Sequence, residues 1–427
     1  MLVEDLHKFF LECNAICIDN RKIVAGDMFF AISGDRFNAN TFAQAALDAG
    51  AKFAIIDDKN FYIDQRTILV ENGLQTLQEL ATFHRNFLNI PIIALTGSNG
   101  KTTTKELIDV VLKQKFNTTA TVGNLNNHIG VPLTLLSFTK STEIGIVEMG
   151  ANHQKEIEFL CEIALPDYGY ITNFGKAHLE GFGGVEGVIK GKSEMYVHLR
   201  DNHKIAIVNL DDKLQIEKSA GIEQVLFGVN KEKSFVEIKN VEANPFVKIA
   251  FNETIVNSHL IGLYNANNIN VAITIGKYFG INDEAIKTAV ESYIPENNRS
   301  QMISKNGNEI ILDAYNANPS SMTVAIDNFL QLNKPNKTVF LGDMFELGND
   351  SFNEHLGIIK QLKEAIDVQC FFVGQDFYKC KSDETHFIFL ETFDDLKQNI
   401  KPNQFKTATI LIKGSRGMAL ERILDLL

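Results

Sequence analysis

At 427 residues the chain exceeds a single ordinary core, and roughly 100 to 200 residues per domain predicts two to four domains, with about three as the working number. Hydrophobic residues make up 45% and charged residues 22%, which predicts a globular chain with a large core and argues against disorder. The net charge of -12 supplies no general basic face, so neither nucleic acid nor an anionic membrane is an expected partner, although a local basic pocket for an anion is compatible with it.

The amino terminus carries Glu4, Asp5, His7 and Lys8 among its apolar residues and so lacks the continuous apolar core of a signal peptide. No run approaches the ~18 apolar residues of a membrane span. Cys13, Cys17, Cys161, Cys370 and Cys380 are scattered and odd in number, which reads as reduced thiols in a cytoplasmic protein, with no second ligand pair to make Cys13 and Cys17 a metal site.

The first 88 residues mix short strands with helices, and Leu74, Leu77, Leu80, Ala81 and Phe87 fall at helical spacing before Pro91 interrupts the pattern. A boundary near residue 89 follows. From Ile92 onward apolar strand-like runs (Ile92 to Thr96, Ile144 to Val147, Tyr168 to Thr172, Ile205 to Asn209) alternate with amphipathic helical stretches, which predicts an α/β unit with a mostly parallel sheet. Between Val225 and Leu260 shorter, partly alternating runs predict antiparallel strands added to this central unit, and a helix is expected from about Asn265 to Phe279. A second α/β alternation, through Ile310 to Leu312, Thr338 to Leu341, Cys370 to Val373, Phe387 to Leu390 and Thr409 to Ile412, predicts a carboxy-terminal Rossmann-like unit. The expected division is 1–88, 89–296 and 297–427.

Directly after the strand Ile92 to Thr96, the segment Gly97-Ser98-Asn99-Gly100-Lys101-Thr102-Thr103 turns the chain into a helix. Glycines let the backbone approach phosphate oxygens, and the helix amino terminus adds N–H donors and the positive end of its dipole. Lys101 is then placed for the β- and γ-phosphates of ATP and the Thr102 hydroxyl for Mg²⁺. The longer G-x-x-x-x-G-K-[ST] spacing is not met, because Leu95 stands where its first glycine would be. Carboxyl ends of neighbouring parallel strands supply further ligands in such folds, which makes Glu148 a metal candidate against the alternative of a solvated strand-end carboxylate. By their own surroundings in the sequence, His178 reads as a packing or surface residue and Lys192 as a solvated helix lysine.

Read together, Thr96 to Thr103, Glu148-Met149-Gly150, Thr172-Asn173-Phe174-Gly175 with Ala177-His178-Leu179-Glu180, and Lys192-Ser193-Glu194 resemble the Mur ligases, the ATP-dependent amide-forming enzymes of peptidoglycan precursor synthesis. The resemblance implies that Glu148 and His178 bind Mg²⁺ with Thr102, and that Lys192 is carbamylated to become an anionic metal ligand. Asp313-Ala314-Tyr315-Asn316-Ala317-Asn318-Pro319, Gly342-Asp343-Met344-Phe345-Glu346-Leu347-Gly348 with His355, and Lys413-Gly414-Ser415-Arg416-Gly417-Met418 are similar to the branch that joins D-alanyl-D-alanine to a UDP-MurNAc-tripeptide. Asn124 to Asn127, Asp19-Asn20-Arg21 and Gly26 to Ala31 agree with it, so that the resemblance spans essentially the whole chain. It implies that Asn265, Asn268, Asp313 and Asn316 face the nucleotide, that Arg21, Asn126, Asn127, Asn318, Lys413 and Arg416 face the other substrates, and that Arg299 is a catalytic cation opening the third unit.

The implied reaction phosphorylates the peptide carboxylate with ATP and lets the dipeptide amine displace phosphate. Residues of the third unit are expected to reach the ATP site only when that unit swings in. A monomer is the expected state. A folylpolyglutamate synthetase-like ligase and a non-catalytic nucleotide-gated binding protein are the alternatives. The first lacks the Tyr315 to Pro319 and Gly342 to Met344 combination, and intact Lys101, Glu148, His178 and Lys192 argue against the second.

Overall fold

The computed structural model describes residues 1–34, 37–296, 298–401 and 404–427; Asn297, where the expected third unit opens, lies outside them. The first sheet has four parallel strands in chain order, Ile16–Cys17, Met28–Phe30, Phe53–Ile56 and Thr67–Leu69. The helix Gly73–Leu88 begins where the Asn72 side chain accepts the Gln75 N–H and ends at Asn89 in a left-handed conformation. Leu77, Leu80 and Ala81 are buried as their spacing predicts. Phe87 is exposed, and His84 and Arg85 take buried places on the same helix.

These two polar residues tie the first unit to the second. Arg85 pairs with Asp167 at 2.7 Å and donates to the Leu165 carbonyl at 3.0 Å. His84 Nε2 meets the Phe138 carbonyl at 2.9 Å, and its Nδ1 meets His7 Nε2 at 3.0 Å. A carbonyl needs a donor, so His84 carries its proton on Nε2 and accepts from His7 through Nδ1. Both imidazoles are neutral in this relay, and burial together with the His84 neighbour pushes His7 down to about 4. The unfolded chain therefore binds more protons than the folded one between an ordinary histidine value near 6.5 and about 4. Stability from this pair is complete above that window and is lost as pH falls through it. Thermal melts should drop in temperature from pH 7 toward pH 4.5, and a His7→Phe variant should show a shallower slope.

The central sheet has six strands, all parallel, in the order Glu223–Phe227, Ile205–Asn209, Tyr168–Ile171, Ile92–Thr96, Ile144–Glu148, Thr118–Ala120. The strand Ile92–Thr96 lies between Ile144–Glu148 and Tyr168–Ile171, so the loop after it opens where strand order reverses, the place where open parallel sheets bind ligands. The expectation of antiparallel strands from Val225 onward needs one correction. Val225 belongs to Glu223–Phe227, which pairs parallel to Ile205–Asn209 because the helix Lys213–Lys218 carries the chain back in a crossover. Antiparallel pairing begins later, in the separate three-stranded sheet Ile238–Ala243, Phe246–Phe251 and Thr254–Ile261. The helix Ala266–Tyr278 then packs against Lys101–Leu112, the helix that follows the phosphate loop.

The third sheet runs Gln301–Lys305, Asn308–Asp313, Thr409–Lys413, Lys337–Gly342, Gln369–Val373, Phe387–Leu390. All pairings are parallel except the first, a hairpin turned at Asn306-Gly307. Its edge strand, Gln301–Lys305, is only half buried and too polar to stand out in a hydrophobicity pattern. The α/β expectation thus holds. No helix of the described residues is long and apolar enough to cross a membrane.

Candidate active site

A cleft of about 700 Å³ opens at the carboxyl ends of the central strands and is closed from the other side by the third unit. Its floor is the loop 97–100. Gly97 has φ 139°, and a Cβ there would stand 2.0 Å from Thr172 Oγ1. Only glycine lets the loop fold this tightly against the neighbouring strand end. Thr172 Oγ1 and Asn173 Nδ2 both donate to the Asn99 carbonyl, at 2.6 and 3.0 Å, and Ser98 Oγ donates to the Gly175 carbonyl at 2.7 Å. Lys101 Nζ donates to the Gly97 carbonyl at 2.7 Å, so the ammonium lies over the cradle. Burial lowers the pKa of Lys101, Glu148 opposes that fall and Arg299 adds to it. Thr103 is buried in the first turn of the helix.

Glu148 is 2% exposed and fully engaged. One carboxylate oxygen accepts from Thr102 Oγ1 at 2.9 Å and the other from Asn126 Nδ2 at 2.8 Å, while the Glu148 N–H donates to Thr121 Oγ1 at 2.9 Å. Thr121 is a positioning residue that the sequence patterns do not single out. Asn127 accepts the Gly130 N–H at 2.9 Å, so it shapes the start of the next helix as well as lining the cleft.

Lys192 lies on the helix Val185–Asp201 and is 1% exposed. The solvated-lysine reading of that position is therefore incorrect. Its Nζ reaches the Ala151 carbonyl at 3.2 Å and sits 5.1 Å from the centre of the Phe182 ring. Burial, then the charge of Lys101, drives its pKa well below that of an ordinary lysine, against the opposing pull of Glu156 and Glu194.

His178 lines the cleft with a left-handed backbone, φ 52°, and its Nδ1 is paired with Glu346 of the third unit. Among the described residues no three His, Cys, Asp or Glu side chains converge into a metal cage. Thr102 and Glu148 do meet, and as hard oxygen donors they suit Mg²⁺. Cys13 and Cys17, like the other cysteines, are free thiols.

Beside the first turn of the helix Lys101–Leu112, Asn265 and Asn268 form a buried chain. Asn265 donates to the Ile261 carbonyl, Asn268 Nδ2 donates to Asn265 Oδ1 at 2.8 Å, and Thr104 Oγ1 donates to Asn268 Oδ1 at 3.0 Å. Tyr264 bonds Ser300 at 2.8 Å, hydroxyl to hydroxyl, tying the central unit to the first residues of the third.

The third unit brings Asp313, Asn316, Asn318 and Lys413 to the cleft. Lys413 is 2% exposed and donates to Asp313 Oδ2 at 2.6 Å, and Asn318 Nδ2 donates to Asn99 Oδ1 of the phosphate loop at 2.7 Å. Arg299 stacks 3.6 Å over the Tyr315 ring at the cleft wall. Two substrate-side candidates stay outside the cleft lining. Arg416 is exposed beside Glu421, and Arg21 is exposed and held by Asp19 at 2.8 Å in the first unit. His355 is a scaffold residue, fully buried, whose Nε2 accepts the Met344 N–H at 3.0 Å.

Two family models match: the Mur ligase middle domain over residues 95–276 and the Mur ligase glutamate ligase domain over residues 298–416. The UDP-N-acetylmuramoyl-tripeptide--D-alanyl-D-alanine ligase of Bacillus subtilis (strain 168) is 32% identical over 421 residues, covering 96% of this chain and 92% of its own. The crystal structure of MurF from Acinetobacter baumannii matches with a TM-score of 0.87 at 30% identity, covering 99% of this chain and 98% of that one. MurF ligase from Thermotoga maritima, solved in complex with ADP, matches with a TM-score of 0.83 at 28% identity, covering 98% and 97% of the two chains. With a cleft built from the phosphate loop, Glu148 and the third-unit motifs, the chain belongs to the Mur ligase family, in the branch of the UDP-N-acetylmuramoyl-tripeptide--D-alanyl-D-alanine ligases.

Proposed function

We infer that this chain is an ATP-dependent ligase that joins D-alanyl-D-alanine to UDP-MurNAc-tripeptide in peptidoglycan precursor synthesis, releasing ADP and phosphate. The observation that carries the reading is the shared cleft, in which the phosphate loop and the third unit meet directly through Asn99 and Asn318.

A carboxylate and an amine do not condense in water without activation. The peptide carboxylate attacks the γ-phosphorus, ADP leaves, and the dipeptide amine then displaces phosphate from the acyl phosphate. Lys101 and the loop N–H groups hold the β- and γ-phosphates in line and offset their charge. Asn265 and Asn268 stand on the nucleotide side with Asp313 and Asn316, and Arg299 adds a positive charge at the wall. Asn126, Asn127, Asn318 and Lys413 orient the tripeptide and the dipeptide. Arg21 contacts the uridine end, and Arg416 reaches the substrates as the third unit moves. Thr102, Glu148, His178 and a carbamylated Lys192 would hold Mg²⁺, which when bound neutralises charge on the phosphoryl and carboxylate oxygens. The docked third unit shields the acyl phosphate from water.

The working units are 1–88 for the UDP precursor, 89–296 for ATP and 297–427 for closure, in a cytoplasmic monomer. The decisive assay is phosphate release from ATP with UDP-MurNAc-tripeptide and D-Ala-D-Ala together, against each alone. Release without the dipeptide, or none with both, contradicts the reading. Gly97→Ala should weaken ADP binding more than about tenfold by calorimetry, a loss of ~1.4 kcal/mol, because the new Cβ collides with Thr172 Oγ1.

A further inference from the structure

The segment 342–348 of the third unit reaches over residues 178–180 of the central unit. Glu346 Oε2 is paired with His178 Nδ1, the Glu180 N–H donates to the Glu346 carbonyl at 3.3 Å, and a Cβ on Gly348 would stand 3.3 Å from Glu180. The segment is fastened from behind. His355 Nε2 accepts the Met344 N–H at 3.0 Å and Ser415 Oγ accepts the Phe345 N–H at 2.9 Å, so Glu346 is presented by a fixed loop. His178 and Glu346 both have left-handed backbones, φ 52° and 62°, conformations that side-chain-bearing residues rarely adopt. Each is aimed at the other by its own turn.

A carboxylate accepts and cannot donate when ionised, so Nδ1 of His178 is the donor to Glu346, which in the neutral ring leaves the lone pair on Nε2. Metal-binding histidines are held in this way by a carboxylate on the other ring nitrogen. Here that carboxylate comes from a different sheet, 168 residues away in sequence.

We propose that Glu346 is a positioning residue of the metal site: it fixes the tautomer and orientation of His178 from the third unit, so the ligand set is complete only while that unit is docked. The proposal rests on the reading of His178 as a Mg²⁺ ligand. It couples closure to catalysis through one side chain, in addition to the shielding that closure provides.

The test is Mn²⁺ binding, followed by electron paramagnetic resonance, to the full chain with a non-hydrolysable ATP analogue and UDP-MurNAc-tripeptide. Glu346→Ala should weaken binding at the affected site about 10- to 100-fold. Glu346→Gln, whose amide oxygen still accepts from Nδ1–H, should stay much closer to the unsubstituted protein. The ¹⁵N imidazole spectrum should show His178 protonated at Nδ1 in the unsubstituted protein and in Glu346→Gln, and a tautomer mixture in Glu346→Ala. Equal loss in both variants with an unchanged tautomer would mean a charge latch between units and would overturn the proposal. Normal Mn²⁺ binding in Glu346→Ala alongside weakened binding in His178→Ala would overturn it too. Normal binding in His178→Ala would instead remove the ligand reading beneath it.

Discussion

Replacing Lys101 with alanine is expected to abolish ligation, with turnover falling by at least about a thousandfold. The ammonium is the cation placed directly over the phosphate cradle, 2.7 Å from the Gly97 carbonyl. Lys101 is partly buried where it lines the cleft, so its charge is screened less by water than that of an exposed lysine. Loss of one preorganised donor at a developing charge costs on the order of 10² to 10³ in turnover, and here a full charge goes with it. The helix Lys101–Leu112 keeps its buried face of Leu107, Ile108, Val111 and Leu112, so the melting temperature should change little. Single-turnover phosphate release separates chemistry from folding. Substantial ligation by a well-folded Lys101→Ala protein would refute the assignment of the loop.

What the sequence displayed was the chemistry carried by short stretches. A buried strand followed by Gly97 to Thr103 is a local pattern, and Glu148 is marked by its place at a strand end, since side chains at the carboxyl ends of parallel strands share one edge of the sheet. The third-unit strands were equally visible as apolar runs, except Gln301–Lys305, whose edge position lets it remain polar. Contacts made by distant segments were not visible. The contact between His7 and His84 arises only when the helix Val3–Phe10 is laid against Gly73–Leu88. Glu346 stood inside a recognised motif without a role, because its partner His178 belongs to another sheet. Lys192, taken with its neighbours Lys190 to Glu194 alone, reads as a solvated helix lysine. Its helix approaches the 179–182 turn so closely that a Cβ on Gly191 would stand 2.5 Å from the Phe182 ring, and this approach buries the lysine. Arg21 and Arg416 show the converse, motif residues that the folded chain leaves at the surface.

Lys192→Ala should be nearly inactive and should regain part of its activity with short carboxylic acids such as formate or acetate. The lysine is 1% exposed, with a carbonyl at 3.2 Å and, among the described residues, no carboxylate bonded to it. Burial and the nearby charge of Lys101 favour the neutral amine, the form that adds to CO₂. The addition forms an N–C bond, releases one proton and turns a neutral group into an anion. That anion answers the positive charge of Lys101 and supplies oxygen donors of the kind Mg²⁺ prefers. Losing such a ligand removes several kcal/mol of charge stabilisation, on the order of a thousandfold in rate. In the alanine variant the vacated space sits beside Phe182 and Ala151, and a small carboxylate can enter it and restore the charge without the tether. Activity should then rise with carboxylate concentration and saturate, and acids too bulky for that space should give no rescue. The unsubstituted protein should show a carbamate signal in ¹³C spectra after exchange with labelled bicarbonate. A folded Lys192→Ala protein that ligates normally would sink the assignment of Lys192, and an absent ¹³C signal together with absent rescue would sink the carbamate.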